Sequence, residues 1–237
     1  MHIVMIRHCL AAAAFVAGFV GPSAARACDL ALVFAVDVSA SITEHDYLIQ
    51  MRGLARALMD IQVADALVKA QAKISVIQWT GHGSQHVSLP WTSVSTFETI
   101  ESAARQVAEI PRIWRTEATA LGEALAFSQA TFGEVPECAR RVIDVSGDGR
   151  SNEGRPPQMH MAGLAAAGIT VNALVIDTED RTLTRYFEST VITGNGSFAL
   201  TANGWNDYPM RIRQKLYREI SIEMAALDRA EDFQITR

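Results

Sequence analysis

Asp37, Ser39 and Ser41 stand at alternate positions in Asp37-Val38-Ser39-Ala40-Ser41, directly after the apolar run Leu30–Val36. A second carboxylate, Asp148, lies in Ser146-Gly147-Asp148-Gly149 just past the end of another expected strand, and Thr119 opens a helical pattern between them. Two carboxylates and three hydroxyls are oxygen donors with neither sulfur nor imidazole among them. Hard divalent cations such as Mg²⁺, and by extension Mn²⁺ or Ca²⁺, take such donors and keep some water. Each piece alone has an ordinary explanation. Asp-x-Ser-x-Ser caps a helix after a strand, Thr119 is an N-cap, and Asp148 is a turn residue. It is their joint presence, in this order, that points to a cation site.

The elements around them are those such a site requires. Leu30–Val36 suits a central parallel strand covered on both faces. Thr43, with Asp46 three residues on, caps a helix with an apolar stripe of Leu48, Met51, Leu54, Ala55 and Leu58. Strands are expected at residues 72–79, and as a short piece at His86–Leu89. Ser95 and Glu98 form a capping box for a helix with Phe97, Ile100, Ala104 and Val107 on one face. A further helix is expected from Thr119 to Phe132, with Leu121, Leu125, Ser128 and Phe132 inward. A strand at Arg141–Val145 then delivers Asp148. Pro156 and Pro157 start a helix, and Gly168 ends it before a buried strand at Ile169–Ile176. A short helix near Leu183–Phe187, a strand at Ser197–Leu200 and a closing helix from Asp207 carrying Met210, Leu216, Ile220 and Met224 complete the chain. Strands alternating with helices predict one α/β domain with a mostly parallel, doubly wound sheet. In such sheets ligands sit beyond the carboxyl ends of strands, where strand order reverses.

Asp-x-Ser-x-Ser after the first strand, a Thr opening Thr119–Leu125 (Thr-Ala-Leu-Gly-Glu-Ala-Leu), and Asp-Gly after the fourth strand resemble the metal-ion-dependent adhesion site of von Willebrand factor A domains. The phrase Arg141–Gly149, with Asn152 after it, looks closest to an uncharacterised subfamily of exported bacterial proteins of that type. The resemblance implies a six-stranded sheet of order 3-2-1-4-5-6, helices on both faces, and one antiparallel edge strand at His86–Leu89. It implies that Ser39, Ser41 and Thr119 bind the metal directly, while Asp37 and Asp148 act mainly through water. It also implies a protein partner whose Glu or Asp completes the shell. Two carboxylates balance a 2+ ion, which leaves it electrophilic toward such an anion.

The start of the chain reads as an export signal. Arg7 and His8 precede an apolar run, Cys9–Val20, and then Ala25-Arg26-Ala27, a small-x-small cleavage site. The run has 12 residues, against the roughly 20 needed to span a bilayer. Residues 1–27 are therefore expected to be a cleaved signal peptide and 28–237 the domain, periplasmic or secreted. Ala25 and Arg26 fit poorly before a lipidated cysteine, so soluble export is expected. Losing Arg7 and Arg26 takes the net charge from −5 to −7. That balance argues against nucleic acid, and no later segment is apolar enough to cross a membrane.

The mature chain keeps Cys28 and Cys138. The resemblance makes the strands after them parallel neighbours, so it implies a Cys28–Cys138 disulfide at the end opposite the metal. Adjacent strands lie within disulfide reach, and an oxidising compartment lets the bond form. Two buried thiols are the other reading. Asp144, inside an apolar strand, needs a partner, and a backbone group or an Arg is expected. Asn152 and Glu153 follow Asp148 at the rim of the site, although a solvated loop is the ordinary role there. Trp91 ordinarily packs in the core, but the resemblance places loops near it beside the metal and implies a partner contact. His82 and His86 have no third ligand, and Gly194-Asn195-Gly196-Ser197-Phe198-Ala199 leads into a strand, which excludes a dinucleotide loop.

Three functions follow. The first is a metal-dependent protein-binding module. The second is a metal-dependent hydrolase of the envelope, against which stands the lack of Gly-x-Ser-x-Gly or His-Glu-x-x-His. The third is a structural or assembly protein with a vestigial metal site.

Overall fold

The computed structural model describes residues 28–178 and 180–235; the expected signal peptide, residues 1–27, lies outside them. The strands are β1 (Leu30–Asp37), β2 (Ala72–Trp79), β3 (Gln85–Val94), β4 (Arg140–Gly147), β5 (Ile169–Ile176) and β6 (Ala199–Ala202). They form one sheet of order β3-β2-β1-β4-β5-β6. Only the β2–β3 pair is antiparallel; β1 pairs in parallel with both β2 and β4. The fold is a doubly wound α/β sheet, as the alternation of patterns predicts.

The helices are α1 (Glu44–Leu58), α2 (Ile61–Lys69), α3 (Phe97–Glu109), α4 (Leu121–Thr131), α5 (Gln158–Ala166), α6 (Leu183–Thr190) and α7 (Tyr208–Ile235). They divide between the faces, and β1 shows how. Leu30, Leu32, Phe34 and Val36 pack with residues of α1, α2, α3 and α7, such as Leu54, Leu67, Ile100 and Leu216. Ala31, Val33 and Ala35 point the other way, toward Leu121, Leu125, Leu164 and Phe187 of α4, α5 and α6. All eight residues of β1 are buried, which is why its apolar run does not alternate.

Local differences have local causes. α1 starts as expected, with Thr43 and Asp46 bonded reciprocally. Leu48, however, is 36% exposed, and Tyr47 and Gln50 are buried in its place. β3 runs past Pro90 to Val94, with register shifts in its pairing to β2. An edge strand tolerates proline and irregularity. That longer strand moves the cap of α3 from Ser95 to Thr96, whose Oγ1 accepts from Thr99 N at 3.2 Å. Phe97 is consequently exposed. α2 has no counterpart among the expected helices; Asp60 caps it by accepting from Gln62 N and Val63 N. In α7 Leu216 and Ile220 are buried while Met210 is exposed; the side chain of Met224 is outside those described.

Cys28 and Cys138 directly precede the paired strands β1 and β4, and their sulfurs are bonded with Cα atoms 4.6 Å apart. The link lies at the amino ends of the two strands. It closes a sequence separation of 110 residues, for which the chain-entropy account assigns up to about 4.7 kcal/mol. The Cys28→Ala/Cys138→Ala double variant is expected to lose several kcal/mol in a urea melt without a change of fold. Identical midpoints for the variant and the parent would show the link to be without effect.

Candidate metal centre

β1 has β2 on one side and β4 on the other, so strand order reverses at its carboxyl end, where open α/β sheets bind ligands. Asp37 is the last residue of β1, and Asp148 follows Gly147, the last of β4. Gly147 is a glycine for steric reasons: a Cβ there would lie 3.0 Å from Asp37 Oδ2.

Asp37 is fully buried. Its Oδ1 accepts from Ser39 N at 2.8 Å, while Oδ2 is buried with no hydrogen-bond partner. Ser41 Oγ donates to Asp148 Oδ1 at 2.6 Å, and Ser39 Oγ lies 3.4 Å from Ser41 Oγ. Four of the five expected residues are thus joined by direct contacts.

Thr119 is the fifth, and it is also buried. α4 begins at Leu121, with Ala120 as a cap that makes no side-chain bond. Thr119 therefore precedes the helix rather than capping it. Its backbone is tied to the loop after Asp148: Thr119 N donates to Asn152 Oδ1 (2.8 Å), and Asn152 N donates to the Thr119 carbonyl (2.9 Å). Its hydroxyl faces Gly149, where a Cβ would lie 3.9 Å away. Ser41, Thr119 and Asp148 line one open pocket of about 430 Å³, together with Arg150, Asn152 and Asp180.

Buried hydrogen bonds hold the Asp37–Ser41 loop. Gln50 of α1 donates to the Asp37 carbonyl (3.1 Å) and accepts from Ser146 Oγ of β4 (2.9 Å). Arg112 Nη2 donates to the carbonyls of Val38 and Ser39, and Ala40 N to that of Glu117. Neither Gln50 nor Arg112 stands out in the sequence. Gln50 lies on the apolar side of α1, which is the one local sign of its role.

Electrostatics fit a cation. Burial and the neighbouring Asp148 raise the Asp37 pKa to about 7, against the lowering effect of its Ser39 bonds and of Arg112. Burial raises Asp148 as well, although Ser41 opposes it. Two buried carboxylates, one raised by the charge of the other and with an orphaned oxygen, are what a divalent ion neutralises. Among the described residues no group of three or more His, Cys, Asp or Glu comes together to hold a metal. A hydroxyl-rich set is therefore the donor chemistry on offer.

The three rim residues part company. Asn152 lines the pocket. Glu153 turns aside, its Oε2 accepting from His82 N at 2.8 Å. Trp91 is not at the rim. It packs on Phe132 with ring centroids 5.5 Å apart and donates to the Thr131 carbonyl; β3 runs antiparallel, so this part of it lies beside the amino end of β2. Asp144 has a partner of another kind than expected: Lys215 Nζ of α7, 2.7 Å from Oδ2.

A family described as a protein of unknown function (DUF1194) matches residues 27–224, and no curated protein matches the chain. Among solved structures, proximal thread matrix protein 1 from the mussel byssus, with a zinc-occupied MIDAS motif, is 20% identical with a TM-score of 0.62, over 82% of this chain and 48% of that one. A von Willebrand factor type A protein from Catenulispora acidiphila is 15% identical with a TM-score of 0.57, over 81% and 43%. BatB from Bacteroides thetaiotaomicron is 19% identical with a TM-score of 0.54, over 81% and 98%. The chain spans about half the length of the mussel protein. At these identities the likeness concerns the fold. The chain belongs to the DUF1194 family of proteins of unknown function, and its fold is of the von Willebrand factor A type.

Proposed function

We propose that the chain is an exported, metal-dependent protein-binding module, in which a divalent cation held at Asp37, Ser39, Ser41, Thr119 and Asp148 accepts an acidic side chain from a partner protein. The observation that carries this reading is Asp37 Oδ2, buried without a hydrogen bond beside a second carboxylate. A hydroxyl that gives its proton to a carboxylate, as Ser41 does to Asp148, keeps oxygen lone pairs for a cation. Ser39, Ser41 and Thr119 would be direct ligands, with Asp37 and Asp148 acting mainly through water. The bound ion would supply electrophilicity toward an incoming anion. The donor set suits Mg²⁺, Mn²⁺ or Ca²⁺, and the mussel protein carries zinc at its own MIDAS motif. The domain would work in the periplasm or outside the cell, after removal of residues 1–27.

Calorimetry on the 28–237 chain is expected to show Mg²⁺ and Mn²⁺ binding. Immobilised protein should capture a partner from cell-envelope extract in Mg²⁺ and release it in EDTA. Absence of metal binding, or capture that EDTA leaves untouched, would sink the reading.

A further inference from the structure

Arg112 is a buried cation beside the site, and none of the proposed ligands accounts for it. It is only 7% exposed. Its Nη2 donates to the Val38 carbonyl at 3.1 Å and the Ser39 carbonyl at 3.0 Å, and its Nε is buried with no hydrogen bond. The backbone carrying it is clamped from two elements. Gln78 of β2 donates to the Pro111 carbonyl (2.8 Å) and accepts from Ile113 N (3.0 Å). The Tyr47 hydroxyl of α1 donates to the Ile110 carbonyl (2.9 Å). These bonds fix the backbone from which the guanidinium reaches the loop.

We propose that Arg112 is a positioning residue that sets the charge of the metal site, weakening its hold on the divalent ion and strengthening the loaded site's attraction for an anion. This rests on the metal-binding reading above. Asp37 and Asp148 together balance a 2+ ion. Arg150 at the pocket is paired with Asp180, and Glu117 is partly exposed, so among the buried groups Arg112 adds one positive charge in excess. An arginine keeps its proton even when buried, and a buried charge is poorly screened by salt. The other groups that face Arg112 do not cancel it. Glu44 is exposed and paired with Arg115 at 3.4 Å. Tyr47 is neutral, its pKa raised by burial. The charge of Asp46 acts on Asp148, but it sits in the exposed Thr43 cap, where solvent screens it. The Val38 and Ser39 carbonyls are turned to the guanidinium, so the loop offers the cation side-chain hydroxyls rather than backbone oxygens. A neutral residue at 112 would leave the loaded site formally neutral, and the anion would then have only the ion itself to answer.

The test measures two affinities that this role moves in opposite directions. Mn²⁺ is titrated calorimetrically into wild type, Arg112→Met and Arg112→Lys. Acetate is then titrated onto each Mn²⁺-loaded protein, read by water-proton relaxation of the bound ion. Arg112→Met is expected to bind Mn²⁺ about tenfold tighter and acetate about tenfold weaker, while Arg112→Lys stays near wild type in both. A merely structural arginine would move both affinities down together or move neither, and either result overturns the proposal. If Arg112→Met fails to fold, Arg112→Gln removes the same charge with a polar side chain and is read the same way. Wild type that binds no Mn²⁺ removes the metal reading and this inference together. Wild type that binds Mn²⁺ without the opposed shifts, or without taking acetate, removes this inference alone.

Discussion

Asp37→Asn is expected to abolish divalent-metal binding and, in the same variant, to make the metal-free protein more stable. Asp37 is fully buried, and its burial and the nearby Asp148 both disfavour its charge. Asparagine keeps an oxygen for the Ser39 N bond and removes the like-charge repulsion from Asp148. Relief of a buried charge with one orphaned oxygen should stabilise the metal-free fold by about 1–3 kcal/mol. The cation then loses one of two carboxylates, and a site of neutral hydroxyls with one acid holds it poorly. In wild type, metal at a hundredfold excess over Kd adds about 2.7 kcal/mol; the variant should show no such rise. Melts of both proteins in EDTA and in Mn²⁺ check the two halves. A variant that is less stable in EDTA and still responds to Mn²⁺ would place the site elsewhere. A functional residue whose removal stabilises the fold marks a site kept at a cost in stability.

Lys215→Met is expected to be the most damaging single substitution, at about 3–5 kcal/mol. Lys215 is fully buried on α7, 2.7 Å from Asp144 of β4 and 3.4 Å from Glu219 Oε2. Glu219 in turn accepts from the Asn172 side chain of β5, and Asn172 Oδ1 accepts from Phe198 N. The network joins the last helix to two central strands. Removing this buried ammonium would leave Asp144 and Glu219 in the core without its charge. Urea denaturation would measure the loss, and a change under 1 kcal/mol would refute the account.

The same network carries a pH dependence. Burial, with Asp144 beside it, raises the Glu219 pKa from 4.5 to about 7 against the pull of Lys215. The sign follows from which state binds the proton more tightly. The folded carboxyl holds it above the unfolded pKa, so this group's contribution is fully present below pH 4.5 and lost as pH rises to about 7. Asp144 is shifted in the same direction. Glu219→Gln keeps an acceptor for Asn172 and cannot ionise. Relative to wild type it should gain on the order of 3 kcal/mol between pH 4.5 and 8. Denaturation at both pH values checks this, and parallel pH profiles would contradict it.

Much of the site was legible along the chain because its signals are local. An unbroken apolar run ending in an acid declares a buried strand that opens at its carboxyl end, and β1 reads that way. β4, interrupted by Asp144, is marked by its short apolar stretch and the Ser-Gly-Asp-Gly that follows. The Thr43–Asp46 cap declares the helix that turns the loop away. Where local signals competed, the reading slipped by a residue or a face. Ser95 yielded its cap to Thr96 because pairing with β2 carried β3 on to Val94. Leu48 sits on an apolar stripe yet is exposed, because Tyr47 and Gln50 of α1 are the side chains buried beside it.

From the sequence alone came the strand–helix alternation, the two acids at strand ends, the hydroxyls between them, and cysteines just before two strands. These depend on residues a few positions apart, where backbone geometry and burial leave a period or a cap to read. The tertiary structure alone decided the partners. It set Arg112 beneath the Val38 and Ser39 carbonyls, Gln50 between β1 and β4, Lys215 against Asp144, and Trp91 on Phe132, away from the site. Such pairs lie between 13 and 96 residues apart along the chain, and a buried polar group is matched only by what packing brings within hydrogen-bond reach. No local pattern records that choice, since a lysine, an arginine or a backbone amide would each have answered Asp144.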